Sequence, residues 1–385
     1  MVMERLATHS GTWYPSKKKI LENQLNIPTV SSSSKNGTRI IISPHAGYKY
    51  CSKTMLSAYQ SLTFQNFSNQ KDHMDKSSQT DTSRDTAGDS GDSGDSGDVR
   101  VFVIGPSHHV YFKDKVLLTR FHRLETPFGN LPVDTELIEK WVGLYPKLFQ
   151  YMDPDVDLEE HSLEMQFPIL YNTLLSRNVI PKTGNNEEAE EEKANKGEAI
   201  RVKVVPILMS HGSESMYNGL AKILGDFLQE DPSSYIIISS DFCHWGRRFD
   251  YTGYVGSIED LQLAMDDETE IEMLTSRSKL SHHQIPIWSS IEILDRYAMK
   301  VLECGDPELW NKYLDITGNT ICGREPLRCL LYVLNYMKSK YSAGFDWKWD
   351  KYSQSSQINS VAESSVSYSS GHITLRQKGY CEKKK

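Results

Sequence analysis

The sequence has few cysteines, and they lack the spacing that structural zinc sites require. Its six cysteines are far apart and include no Cys-x-x-Cys pair: Cys51, Cys243, Cys304, Cys322, Cys329 and Cys381. A zinc ribbon or finger needs such pairs, because two thiolates from one short turn must reach the same ion. The spacing therefore counts against a structural zinc module. Unpaired thiols also agree with a reducing compartment inside the cell.

Long hydrophobic runs are absent as well. Residues 1–9 lack the apolar stretch of a signal peptide, and no uninterrupted apolar run approaches the length needed to span a membrane. The sequence thus predicts a soluble intracellular protein, located in the cytoplasm and also in the nucleus, with no membrane partner.

Outside two polar stretches, the sequence lacks net charge. The formal charge is −8, but residues 66–98 hold three basic and eight acidic residues, and residues 182–199 hold three basic and six acidic ones. These two stretches account for the whole imbalance, so the acidic pI says nothing about the substrate. No basic face suggests nucleic acid as a partner.

The same two stretches are predicted to be disordered insertions. The first contains a Gly-Asp-Ser repeat over 88–98 and the second a glutamate run over 187–192, neither of which offers apolar side chains to bury. A short basic tail is expected at 376–385.

Four apolar runs end within a few residues in a histidine. Their β-branched residues show no polar alternation, which is typical of strands buried on both faces of a parallel or mixed sheet. The runs are Ile40–His45, Val101–His108, Val204–His211 and Ile236–His244. In such sheets ligands bind beyond the carboxyl ends of the strands, so repeated histidines at that edge predict a metal site.

The four histidines are not equivalent. His45 and His108 follow Pro or Pro-Ser among small residues, and His244 comes three residues after a second candidate ligand, Asp241. His211 is the weakest candidate, because a loop histidine bound to backbone explains it equally well.

Helical and strand patterns alternate along the chain without an ordered linker. This predicts one α/β domain over 1–385, with a core at about 10–375 and a central mixed, largely parallel sheet flanked by helices. A final alternating strand is expected at 366–375.

Two further motifs offer side chains for the site. Cys322 lies in a turn that ends at a helix N-terminus, a position that lowers the pKa of a thiol; the alternative is a small buried apolar residue. Asp157 and Glu160 have the spacing of a capping box and predict a helix beginning at Asp157. On that helix His161 and Glu164 lie one turn apart, either as catalytic or supporting residues or as a surface ion pair.

The candidate ligands do not identify which metal is bound. Imidazoles with one carboxylate such as Asp241 are typical of non-haem Fe(II), whereas a thiolate such as Cys322 favours copper or zinc.

Six motifs in order resemble the Memo family (mediator of cell motility). The resemblance runs from about Ser10 to Leu375, apart from the two insertions, and the low-complexity loops suggest a fungal-type member. The motifs are Pro44-His45-Ala46-Gly47-Tyr48, Gly105-Pro106-Ser107-His108-His109, Glu160-His161-Ser162-Leu163-Glu164-Met165, Ser239-Ser240-Asp241-Phe242-Cys243-His244-Trp245-Gly246, Asn319-Thr320-Ile321-Cys322-Gly323-Arg324 and Ser364-Ser365-Val366-Ser367-Tyr368.

This resemblance implies a fold related to class III extradiol dioxygenases. It also implies a metal pocket on the matching positions, whose residues are His45, His108, His244 and Cys322 with Asp241 alongside. Family members are described as binding iron or copper, as promoting redox chemistry and as binding phosphotyrosine peptides. Ring-opening dioxygenases use a glutamate as third ligand, and the histidine or cysteine here weakens the case for that activity.

Two functions follow as hypotheses. The first is an iron- or copper-dependent redox protein or dioxygenase-like enzyme, with zinc as another metal and a small molecule or peptide as pocket ligand. The second is a signalling or scaffold protein that binds phosphorylated peptides without catalysis, with Arg247, Arg248 and Arg324 pairing with the phosphate.

Overall fold

A computed structural model describes residues 2–27, 37–64, 98–181, 202–278 and 283–376. Nearly all of both predicted insertions and of the predicted basic tail lies outside the described residues, so their predicted disorder stays a prediction. Within the described ranges, no helix has both the length and the apolar character needed to cross a membrane.

The fold is built on a nine-stranded mixed sheet. Two smaller sheets, of three strands and of two, accompany it. The strands are β1 (Glu4–Arg5), β2 (Thr38–Ser43), β3 (Val99–Pro106), β4 (Val116–Leu118), β5 (Arg123–Leu124), β6 (Leu131–Pro132), β7 (Phe149–Tyr151), β8 (Val202–Met209), β9 (Ser234–Ser239), β10 (His244–Trp245), β11 (Gly253–Tyr254), β12 (Glu272–Met273), β13 (Gly344–Gln354) and β14 (Ser365–Arg376).

The centre of the large sheet consists of the four strands that precede the histidines. They run parallel in the order β2, β9, β3, β8, with Ile40 opposite Ile236 and Val101 opposite Val204. Ile40 and Ile236 are fully buried, as expected for strands covered on both faces. The prediction of buried parallel strands at the centre is therefore confirmed.

Antiparallel pairings flank this centre. β14 pairs with β2 on one side and β4 pairs with β8 on the other, so the sheet is mixed. The predicted final strand is present as β14, but β13, which pairs along almost its whole length, was not predicted. Its sequence, Gly344–Gln354, alternates aromatic and charged residues, and most of its side chains are only half-buried.

Helices cover both the sheet and one another. The helix at 48–61 packs against β2, β13 and β14, while the helix at 324–341 packs against the helix at 214–230 and against β3 and β9. The helices are α1 (Lys18–Gln24), α2 (Tyr48–Ser61), α3 (Thr135–Leu144), α4 (Pro154–Glu159), α5 (His161–Glu164), α6 (Phe167–Ser176), α7 (Glu214–Glu230), α8 (Ile258–Asp267), α9 (Ile287–Cys304), α10 (Pro307–Thr317) and α11 (Arg324–Tyr341). The fold is thus a mixed sheet flanked by helices, as predicted.

The prediction of a helix that begins at Asp157 is wrong in its boundaries. Three short helices, α4 to α6, occupy this region, and Asp153 caps the first of them. Asp157 lies inside α4 and binds a distant arginine, Arg5, with its side chain. Glu160 instead caps α5 by accepting from the Ser162 amide at 2.9 Å.

Candidate metal centre

The carboxyl ends of β2, β9 and β3 bring the predicted residues together at one edge of the sheet. Ser43 at the end of β2 lies opposite Ser239 at the end of β9. His45 and Asp241 follow these two strands by two residues each, and His108 follows β3 in the same way. Because neighbouring parallel strands end at the same edge, the three side chains converge there.

His45, His108 and Cys322 form one group at this edge whose side chains could hold a metal ion, and His108, Glu160 and His161 form a second. In the first group, one candidate ligand atom from each of the three lies within 4.8 Å of the others. Cys322 Sγ is 3.1 Å from His45 Nε2, and the rings of His45 and His108 stand nearly perpendicular with centroids 5.2 Å apart. Two imidazoles and a thiol at this spacing are a donor set that fits a copper or zinc ion.

Ser239 determines which nitrogen of His45 carries the proton. The Ser239 hydroxyl donates its one hydrogen to the carbonyl of Ser162 at 2.7 Å and accepts from Gln166 Nε2 at 2.9 Å. His45 Nδ1 lies 2.8 Å from the same oxygen and must therefore be the donor. This leaves His45 Nε2, which faces Cys322, without a proton and available as a ligand.

Glu160 determines which nitrogen of His108 carries the proton. The sequence analysis did not predict Glu160 as a site residue. Its carboxylate lies 2.9 Å from His108 Nδ1 and accepts from the His108 amide at 2.7 Å. Burial alone would raise the pKa of Glu160, but these contacts with His108 outweigh burial and lower the pKa to about 2. The ionised carboxylate favours a proton on Nδ1 and leaves Nε2 as the available nitrogen. The signal in the sequence was a glutamate directly before His161.

The expected lowering of the Cys322 pKa is wrong. Burial raises the pKa of this thiol well above its ordinary value, and the nearby carboxylate of Asp241 adds to the effect. The amide of Asp241 donates to Sγ at 3.2 Å but does not overcome the loss of water. A metal ion would have to displace the thiol proton in order to bind.

Asp241 binds backbone at the same edge. Its Oδ1 accepts from the amides of His45 at 2.8 Å and Ala46 at 3.3 Å, so it shapes the turn that presents His45. Asp241 is not part of the three-residue group, and its role as a ligand stays a prediction.

His244 and His211 both lie outside that group. His244 Nδ1 lies 2.9 Å from the carbonyl of Phe242, to which it donates, so Nε2 is its remaining nitrogen. The role of His244 as a ligand stays a prediction. The His211 ring is half exposed and lies 3.4 Å from Glu325, which agrees with its weaker candidacy.

His161 faces the group, whereas Glu164 does not take part in it. The centroid of the His161 ring lies 4.2 Å from that of His108, with the two rings tilted, and 5.5 Å from that of His45. Burial, reinforced by His108, lowers the pKa of His161 to about 3, so the ring is neutral at neutral pH. Both His161 and Glu164 are largely buried, which rules out the alternative of a surface ion pair.

Glu164 instead fixes the N-terminal segment against the pocket. It accepts from Arg5 at 2.6 Å, from the His9 amide at 2.9 Å and from Tyr14 at 2.7 Å. The ring of Trp13, in the same segment, contacts that of His161 with centroids 4.5 Å apart. Residues 5–14 thus pack beside the candidate metal centre, which the spacing arguments did not predict.

The acid stability of the protein should depend on Glu160 and Glu164. Burial opposes ionisation of Glu164 too, but bonds from His9 and Arg5 lower its pKa to about 2. A carboxyl with a depressed pKa stabilises the fold above its ordinary value near 4.5 and loses that contribution as the pH falls toward 2. We expect unfolding free energy to drop steeply over this window, by up to roughly 3 kcal/mol for each group.

Denaturant unfolding at several pH values measures this dependence. Glu164→Gln should be less stable than the parent at pH 7 but should lose less stability between pH 4.5 and pH 2. An unchanged slope in Glu164→Gln would contradict the assignment.

Comparison with known proteins supports the resemblance seen in the motifs. The model of the family described as Memo-like protein matches residues 5–71 and 92–372. MEMO1 family protein MHO1 of Saccharomyces cerevisiae is 44% identical over 96% of this chain and 99% of its own length. MEMO1 family protein C4H3.04c of Schizosaccharomyces pombe is 34% identical over 94% and 97%. Protein MEMO1 of Xenopus laevis is 31% identical over 96% and 97%.

One solved structure also aligns, but only weakly. The crystal structure of uncharacterized protein JW3007 from Escherichia coli K12 has a TM-score of 0.30 and 13% identity over 70% of this chain and 84% of that one. A similarity of this size supports no conclusion about the fold class.

Proposed function

The chain belongs to the Memo-like protein family as a fungal-type member, and on this basis we propose that its pocket holds one redox-active metal ion. His45 Nε2, His108 Nε2 and Cys322 Sγ would be the ligands. A copper or iron ion bound there would supply one-electron redox chemistry. As part of the same proposal, the scaffold is a diverged relative of class III extradiol dioxygenases.

The single observation that carries the proposal is that His45 and His108 both hold their proton on Nδ1 and leave Nε2 unprotonated. Each presents a bare Nε2 because its Nδ1 is bound to a buried acceptor, Ser239 for His45 and Glu160 for His108. Partners of this kind orient metal-binding histidines and raise their basicity. His45 Nε2 accepts a hydrogen bond from the Cys322 thiol 3.1 Å away, and a metal ion that displaced the thiol proton would take its place between the two atoms.

His161 orients the bound molecule in this proposal. It is neutral at neutral pH, and its ring lies against that of His108 with centroids 4.2 Å apart. One of its ring nitrogens can therefore accept a hydrogen bond from a small molecule bound in the pocket. Trp13 and the N-terminal segment would exclude water on that side.

Metal analysis of the purified protein tests the ligand assignment. After loading with Cu(I) or Fe(II), the parent should hold about one ion per chain, and His45→Ala, His108→Ala and Cys322→Ser should each weaken binding by at least about 100-fold. His211→Ala is the matched control, since this histidine follows a parallel strand but lies outside the group, and it should bind like the parent. Parent protein without stoichiometric metal under either condition would refute the proposal.

We propose phosphopeptide binding as the alternative function. The observation that favours it is the exposed turn Arg247–Phe249, which follows His244 and carries two arginines. Guanidinium groups bind phosphate through paired hydrogen bonds. Binding of a phosphotyrosine peptide to metal-free protein, lost in the Arg247→Ala/Arg248→Ala variant and absent for the unphosphorylated peptide, would favour this function over the first.

A further inference from the structure

Two loops carry one side of the candidate metal centre, and they are tied to each other. The first loop, residues 240–243, contains Asp241 and leads into β10 with His244, and the second, residues 319–323, contains Cys322. The amide of Asp241 donates to Cys322 Sγ at 3.2 Å, and the Gly323 amide donates to the Ser240 hydroxyl at 3.2 Å. The position of Cys322 therefore depends on how these two loops meet.

A buried carboxylate, Asp295, lies beneath both loops. It projects from α9 and is fully inaccessible to solvent. Its Oδ1 accepts from the Cys243 amide in the first loop and from Asn319 Nδ2 in the second, each at 3.3 Å. One oxygen atom thus joins the two loops.

The other oxygen joins Asp295 to the sheet. Oδ2 accepts from the hydroxyl of Tyr352 at 2.9 Å and from the hydroxyl of Ser367. These residues belong to β13 and β14, so the loops are held against the antiparallel side of the sheet. Four converging donors suit a carboxylate, because an amide would turn its own N–H groups toward some of them.

We propose that Asp295 is a positioning residue that holds Cys322 in place opposite His45, a role that rests on the proposed metal function. Asp295 does not touch the pocket itself. It acts through Asn319, three residues before Cys322, and through Cys243, two residues after Asp241. Burying a charge costs free energy of desolvation, and an apolar residue of the same volume would avoid that cost. The carboxylate is therefore expected to have a positioning role.

Cysteine alkylation in metal-free, full-length protein tests the proposal directly. Asp295→Asn removes the negative charge and replaces one of the two acceptor oxygens by an NH2 group, so the four donors are bound less tightly and N-ethylmaleimide should modify Cys322 at least about tenfold faster than in the parent. Two other cysteines serve as internal references, exposed Cys304 for reagent activity and buried Cys329 for global unfolding. Both should keep their parental rates when peptides are quantified by mass spectrometry.

Asp226→Asn is the matched control variant. Asp226 is also a carboxylate that accepts from four donors, namely Tyr336, Tyr341, Lys340 and Lys222. The three contacts from Tyr336, Lys340 and Tyr341 link α7 to α11, the one from Lys222 lies within α7, and none involves the two loops, so the alkylation rate of Cys322 should stay unchanged. If Asp295→Asn does not fold, Asn319→Ser removes one of the two loop donors and should give the same selective acceleration at Cys322.

Metal titration separates this proposal from the function on which it rests. Asp295→Asn should weaken Cu(I) binding at least about tenfold, as loss of support behind a ligand does. Parent protein that binds no metal would refute the proposed function, while the alkylation rates would still decide whether Asp295 positions Cys322. An unchanged Cys322 rate in folded variants, an equal acceleration at Cys329, or faster alkylation with parental Cu(I) affinity would overturn the role of Asp295.

Discussion

Arg5→Met should lower the free energy of unfolding by about 3–5 kcal/mol, the range found when one partner of a buried ion pair is removed. The Arg5 side chain is 1% exposed and donates to the carboxylates of Asp157 at 2.8 Å and Glu164 at 2.6 Å. It also donates to the backbone carbonyls of Asp157 at 2.5 Å and Glu160 at 3.0 Å. Methionine fills a similar volume but leaves two buried carboxylates without their counter-charge. Urea unfolding followed by circular dichroism measures the loss.

A surface pair provides the control for this substitution. Arg296 pairs with Glu292 one turn away on α9, at a position where the arginine is 47% exposed. Arg296→Met should change stability by less than about 1 kcal/mol, because exposed pairs are screened by water. The double variant Arg5→Met/Glu164→Gln should recover part of the loss. A loss at Arg5 no larger than at Arg296 would contradict the importance of the buried network.

Gly323→Ala should disrupt the candidate metal centre. A Cβ at this position would lie 2.2 Å from the Cβ of Ser240 and 2.9 Å from the backbone carbonyl of Ser239. Ser239 ends a central strand, and its backbone is held by the neighbouring strands. The loop of residues 319–323 must therefore move, and this moves Cys322 away from His45. We expect a stability loss of about 1–3 kcal/mol from overpacking. We also expect a loss of metal affinity of about 100-fold.

Gly143→Ala is the matched glycine control. Gly143 lies in α3, and no atom comes within 4 Å of a Cβ added there. Alanine should therefore stabilise the protein by up to about 1 kcal/mol through helix propensity, with parental metal binding. Adding Ser240→Gly to Gly323→Ala removes the nearest clash and should restore part of the affinity. Parental Cu(I) binding by Gly323→Ala alone would show that the close approach at Ser240 is not required.

The part of the site that follows from strand order was predictable from the sequence. Buried β-branched runs predict parallel strands, and parallel strands bring His45 and His108 to one edge, because register fixes where each strand ends. Cys322 could not be found in this way, since it follows a helical region rather than a central strand. Its place before a helix N-terminus made it a candidate, and the resemblance of its motif to the Memo family implied that it belongs to the metal pocket.

Residues that act across long sequence separations escaped prediction. The capping-box spacing at Asp157 was misleading because Arg5, 152 residues away in the chain, binds its side chain instead. Glu160 was missed for a related reason, because its partner His108 is 52 residues away. The unpredicted β13 depends on pairing with β14 more than on its own pattern of residues.

The docking of residues 5–14 against Glu164 has a consequence for biosynthesis. Residues 5–14 cannot bind their partners until about 150 more residues have been made, as the separation of Arg5 and Glu164 by 159 positions requires. Cys322 is made later still, and Ser367, which helps to hold Asp295, is made after Cys322. A nascent or truncated chain therefore lacks a complete pocket. We expect metal uptake to be a late event that reports on completed folding rather than a nucleus that starts it.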